Sequence, residues 1–219
     1  MRHPILGALI CAMLGLLPRA ASAQGDFTQM GKGAASIGWQ CYHPHDADPQ
    51  TMIDECMLVI DKTSLRYEPW PYAQLAGAYM RLGKFDLALA DADTAISYAS
   101  KNDKYLPVYY GVRCLAYLDS GKAREAVADC TASLALRPND MGTLDLRGDA
   151  EYELRDYAAA IADFGAVLSL DPKQAGSIYV RGLARVRTGD ATGGNADIAA
   201  AKTMKADVAQ DYPGFDKQQ

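Results

Sequence analysis

Only a few residues of this chain have the types and spacing that chemistry would use. His43, His45, Asp46 and Asp48 form the one cluster that looks like a metal site. A His-x-His pair can supply two nitrogen ligands, but nothing nearby completes a ligand set, and Pro44 and Pro49 mark the stretch as surface loop. Asp46-Ala47-Asp48 lacks the glycine and the distal glutamate of a calcium loop. Gly31-Lys32-Gly33 lacks phosphate-loop spacing. All 3 histidines fall before residue 46, and none forms a nucleophile-base arrangement with a serine or cysteine. The expectation is a protein with no metal, no cofactor and no catalytic residues.

Asp91-Ala92-Asp93-Thr94 has the look of a phosphate acceptor, yet Asp91 recurs downstream as Asp129, Asp163 and Asp197. Arg113, Arg147 and Arg181 recur in step with it. A residue type repeated in every unit holds units together more readily than it reacts. A ladder of Arg-Asp contacts between helices is therefore expected, since arginine bridges carboxylates bidentately.

The repetition extends to everything around these residues. Residues 107–140 and 141–174 are one pattern of 34 residues written twice. Gly121-Lys122 falls on Arg155-Asp156, and Ala126-Val127-Ala128-Asp129 on Ala160-Ile161-Ala162-Asp163. A copy stretched to 38 residues occupies 69–106, and a weaker one occupies 175–208. A period of this size predicts stacked helical hairpins, none of which can bury its apolar face alone. Gly83, Gly121 and Gly189 stand where each first helix must stop. Before the array, 24–49 reads as a loose lead-in and 50–68 as a lone helix or half-repeat. After it, 209–219 reads as a tail that follows a short capping turn.

These landmarks resemble the tetratricopeptide repeat family. Its small eighth position holds Ala76, Cys114, Gly148 and Gly182, and its twentieth holds Ala88, Ala126, Ala160 and, departing from the pattern, Gly194. Its late proline is met by Pro138 and Pro172. The resemblance implies an all-α solenoid of helix-turn-helix repeats in a right-handed superhelix, with the first helices lining a concave groove. Carried over position by position, it places Trp70, Met80, Arg81, Leu115, Leu118, Asp119, Asp145, Asp149, Tyr152, Glu153 and Tyr179 in that groove. The clamp with which some members grip a C-terminal carboxylate is absent, since Ala73, Gly111, Asp145 and Tyr179 stand at its position. What remains is a groove that is apolar in its first half and acidic around Asp119, Asp145, Asp149 and Glu153, which would select a basic partner.

Four cysteines follow residue 40: Cys41, Cys56, Cys114 and Cys130. They allow three pairings, or four buried thiols. In a hairpin turning near Gly121-Lys122, Cys114 and Cys130 lie at one height on facing helices, which leaves Cys41 with Cys56. Each bridge would close a short loop and add about 3 kcal/mol by chain entropy.

The chain begins with Met1-Arg2-His3, an apolar run from Ile5 to Leu17 and an Ala21-Ser22-Ala23 site. This is the three-part pattern of a secretory signal over 1–23, so export to a periplasm or beyond is expected, with no membrane insertion after cleavage. Cleavage removes Arg2 and Arg19 and no acid, taking the formal charge from −5 to −7. An acidic chain without cationic clusters is unsuited to nucleic acid. The functional expectation is a non-enzymatic envelope scaffold that holds a peptide or helical segment of a partner protein. The alternatives are a carrier of a small apolar ligand or metal, and an accessory subunit of an envelope enzyme.

Overall fold

The computed structural model describes residue 41, residues 48–62 and residues 64–215. The signal segment, most of the lead-in, His43, His45 and Asp46 lie outside the described residues. Among those described are nine α-helices, two 3-10 helices and no strand. The α-helices are α1 (Pro49–Lys62), α2 (Pro69–Arg81), α3 (Phe85–Tyr98), α4 (Leu106–Asp119), α5 (Ala123–Leu136), α6 (Met141–Glu153), α7 (Tyr157–Leu170), α8 (Ala175–Arg187) and α9 (Ala191–Met204). Short 3-10 helices follow α1 (Ser64–Tyr67) and α9 (Val208–Asp211). The fold is all-α, built from adjacent antiparallel helix pairs. The described residues form two compact units that divide within α4, one ending at Ala116 and the other beginning at Tyr117.

In the N-terminal unit, α1 packs on α2 and α2 on α3. Its core gathers Met52, Ile53, Cys56 and Val59 of α1 with Trp70, Leu75 and Ala78 of α2. Cys41 is bonded to Cys56 with Cα atoms 4.9 Å apart, which ties the lead-in to α1. Asp48 caps α1, accepting from Thr51 N at 3.0 Å and Thr51 Oγ1 at 3.2 Å. Those bonds, the backbone one foremost, hold its carboxyl below the usual range. One member of the sequence's metal-like cluster is thus occupied in starting a helix.

In the C-terminal unit, α5 packs on α6, α6 on α7, α7 on α8 and α8 on α9. Small residues set how closely these helices approach. A Cβ on Gly148 would lie 2.9 Å from the Phe164 ring, so the glycine makes room for the phenylalanine of the facing helix. Gly182 and Gly194 do the same for each other's backbone, a Cβ on Gly194 falling 2.6 Å from the Gly182 carbonyl oxygen. The departure from alanine at residue 194 is therefore a closer crossing of α8 and α9.

First helices stop alike in both units. Gly83, Gly121 and Gly189 have φ of 70°, 76° and 96°, and the next residue's amide reaches back five residues, as Lys84 N does to Tyr79 O at 2.9 Å. Arg155 occupies the same place at φ 63°, with Asp156 N bonded to Glu151 O at 2.9 Å.

Candidate functional site

The recurring arginines and aspartates lie at helix contacts. Arg147 on α6 grips Asp163 on α7 through two bonds, Nε to Oδ2 at 2.6 Å and Nη2 to Oδ1 at 2.8 Å. Arg181 on α8 grips Asp197 on α9 in the same way, both bonds 2.9 Å, and Arg185 Nη1 adds a third at 2.9 Å. A second contact of the same arginines reaches back to the preceding repeat. Arg147 Nη1 donates to Thr131 Oγ1 at 3.4 Å, and in the N-terminal unit Arg113 Nη1 donates to Asp93 Oδ1 at 2.6 Å. Asp93 and Thr131 are equivalent positions, so Arg147 braces two repeats and Arg113 reaches back in the same way. The third equivalent is Gly165, which has no side chain to offer.

The residues placed in the groove by resemblance meet mixed fates. Trp70 and Met80 are buried in the N-terminal unit, as is Leu115, while Arg81 stays half-buried. In the C-terminal unit Leu118, Asp149, Tyr152 and Tyr179 are buried, and Asp119, Asp145 and Glu153 are half-buried. Trp70 packs with residues of α1 in the core of its unit, whereas Tyr152 and Tyr179 are buried beneath the segment that follows α9. Cys114 and Cys130, assigned to a second bridge from the sequence, are both disulfide-bonded.

Around α6 and α8 the cover is the chain's own end. Past α9, Val208 is fully buried, and Tyr212 and Phe215 are nearly so. They share one cluster with Tyr152 of α6 and Ile178, Tyr179 and Val180 of α8. The Phe215 ring stacks on Tyr152 with centroids 4.8 Å apart, and Tyr152 Oη donates to the Phe215 carbonyl at 2.8 Å. Tyr212 packs against Tyr179 and edge-on against Phe215, at 6.1 and 5.6 Å. Its hydroxyl fills the space left by Gly176, where a Cβ would clash outright.

Between the two aromatics, Pro213 and Gly214 (φ 94°) form a β-turn closed by Phe215 N to Tyr212 O at 3.3 Å. The turn puts both rings on one side. Sequence reading stopped at a capping turn and tail here. The signal it missed was Tyr212-Pro213-Gly214-Phe215, an aromatic pair across a turn.

The polar floor of this contact is acidic. Asp145 Oδ1 accepts from Ser177 Oγ at 2.5 Å. Burial raises the Asp145 carboxyl to about 6 in spite of that bond. Asp149 is raised further, by burial first and then by Asp145 and Glu153. Burial first, and then Asp149 and Asp145, push the Tyr212 phenol upward. Among the described residues no three metal-ligating side chains cluster, so this floor offers hydrogen-bond acceptors and charge.

Residues 71–102 and 143–174 each match the family model described as tetratricopeptide repeat. No curated protein matches the chain in sequence. Among solved structures, MamA from Desulfovibrio magneticus RS-1 is similar with 17% identity and TM-score 0.66, over 80% of this chain and 94% of that one. MamA AMB-1 aligns with 16% identity and TM-score 0.67, over 78% and 97%. YrrB, described as a TPR protein with an unusual peptide-binding site, aligns with 13% identity and TM-score 0.61, over 74% and 81%.

Proposed function

This chain is a tetratricopeptide repeat protein, and from that premise we propose that it is a non-enzymatic scaffold of the cell envelope. It carries four repeats over 69–208 and holds a segment of another protein against its first helices. One observation carries the reading: the α6–α8 face accommodates a short aromatic segment, with a tyrosine stack, a backbone acceptor satisfied by Tyr152, and a glycine-lined space. YrrB, of the same fold, has a peptide-binding site of its own. Export is supported by the Cys41–Cys56 bond, of a kind that persists in oxidising compartments, and by the signal pattern over 1–23. No helix among the described residues is long and apolar enough to cross a membrane. Half-buried Glu153, near enough to Asp149 to raise its carboxyl, gives the site an acidic edge that favours a basic flank on the partner.

Photo-crosslinking tests this. A photoreactive residue at position 153 of the mature chain, exposed to envelope extract, should yield a protein adduct that excess unlabelled chain suppresses. If native mass spectrometry instead finds a co-purified small molecule, and position 153 crosslinks to no protein, the scaffold reading fails.

A further inference from the structure

The segment from Val208 to Phe215 has the chemistry of a bound peptide. It meets α6 and α8 through two aromatic rings and one main-chain carbonyl, and those groups could come from any chain. Its turn is preorganised by Pro213 and Gly214, so little ordering entropy opposes docking. Docking also buries Tyr212 beside Asp145 and Asp149, and covering carboxylates costs free energy that a wholly apolar contact would not incur. The face is therefore filled by a segment that fits in shape but is held below the strength an apolar floor would give.

We propose that residues 208–215 are a displaceable internal ligand, and that the partner segment replacing them carries two aromatic side chains three residues apart across a tight turn. This rests on the scaffold reading above and names its partner's chemistry. Rings at that spacing would stack on Tyr152 and enter the space beside Gly176, and the partner's main chain would accept from Tyr152 Oη. Because the internal segment occupies the face, an external one binds with its affinity divided by the fraction of chains in which the face is open.

The test uses a fluorescent peptide with the sequence of residues 205–215, titrated by anisotropy into the full mature chain and into its Tyr212→Ala/Phe215→Ala variant. The variant should bind the peptide about tenfold or more tightly than the unaltered chain does. A peptide with both aromatics changed to alanine should bind neither. Equal binding to both chains overturns the proposal, as does failure to bind a variant that keeps the parent's circular dichroism. Should the variant unfold, hydrogen exchange on the unaltered chain decides. The amides of Val208, Gln210, Tyr212 and Phe215 should then exchange about a hundredfold faster than those of α8, and equal protection overturns the idea. An envelope protein captured equally by both chains would keep the scaffold reading and sink this one. A variant that takes the peptide but captures no protein would do the opposite.

Discussion

Asp91 and Asp163 stand at the same place in their repeats and live differently. On α7, Asp163 is held by the forked guanidinium of Arg147. On α3, Asp91 has Leu75 in its own repeat where the later repeats have arginine, and burial lifts its carboxyl to about 6. Two identical letters, two repeats apart, are a satisfied ion pair in one unit and a strained acid in the other. Recurrence in sequence shows where a residue sits. Its energetic sign depends on what faces it across the helix contact.

The largest effect should come from breaking the satisfied pair. Arg147→Ala leaves Asp163 nearly buried without its bidentate partner, and should cost about 3 kcal/mol in urea unfolding. Asp163→Ala should cost somewhat less, because half-buried Arg147 keeps Thr131 and reaches water. Replacing both should cost clearly less than the sum, and additive losses would remove the ladder.

The strained acids give the next effect, of opposite sign. A carboxyl whose pKa is higher folded than unfolded takes up protons on folding. Its stability contribution is full below about 4 and is lost as pH rises through about 6 for Asp91 and Asp145, and higher for Asp149. The groups facing the terminal segment are Asp145, Asp149, Tyr152 and Glu153 on α6 and Ser177, Tyr179 and Arg187 on α8, with Lys205 paired to Asp211 and with Tyr212 within it. Burial raises both α6 aspartates, so exchange protection at Tyr212 and Phe215 should be greater at pH 5 than at pH 8, on the order of 2 kcal/mol. Protection that grows with pH would mean that the aspartates are better solvated docked than free.

Asp91→Asn then sharpens the comparison directly. With its charge gone and its shape kept, the N-terminal unit should gain about 1 kcal/mol at pH 8, after allowance for its solvent-facing part, and nothing at pH 4. The same change at Asp163 should destabilise at both pH values. If Asp91→Asn also destabilises at pH 8, an unseen cation holds it and the contrast collapses.

How much of this could be read from the residues alone follows the same logic. The 34-residue period, the glycine stops and the small eighth position at Gly148 were legible, because each is a local need repeated at a fixed interval. The braces Arg147–Asp163 and Arg181–Asp197 were legible for the same reason. Arg113 with Asp93 was not, since a four-residue insertion around 100–103 shifts its spacing out of step. The residues alone leave Trp70 and Leu115 equally open to groove and core, and the burial of Tyr152 was not legible, because its cover is Phe215. The terminal segment lies beyond the last repeat, where periodicity carries no information.

The smallest effect tests whether equivalence holds for backbone as it fails for charge. Arg155 adopts the left-handed conformation that glycine supplies at 83, 121 and 189, at a cost of about 1 kcal/mol for a side chain with a Cβ. Arg155→Gly should therefore raise the urea midpoint by an equivalent of just under 1 kcal/mol, less whatever the arginine's own contacts contribute. Gly121→Arg should lower it by about as much. The strain belongs to the backbone conformation of the stop, so here repeat position alone should fix the sign. If Arg155→Gly destabilises, Arg155 is held by a contact worth more than its strain, and even the helix stops must be read one by one.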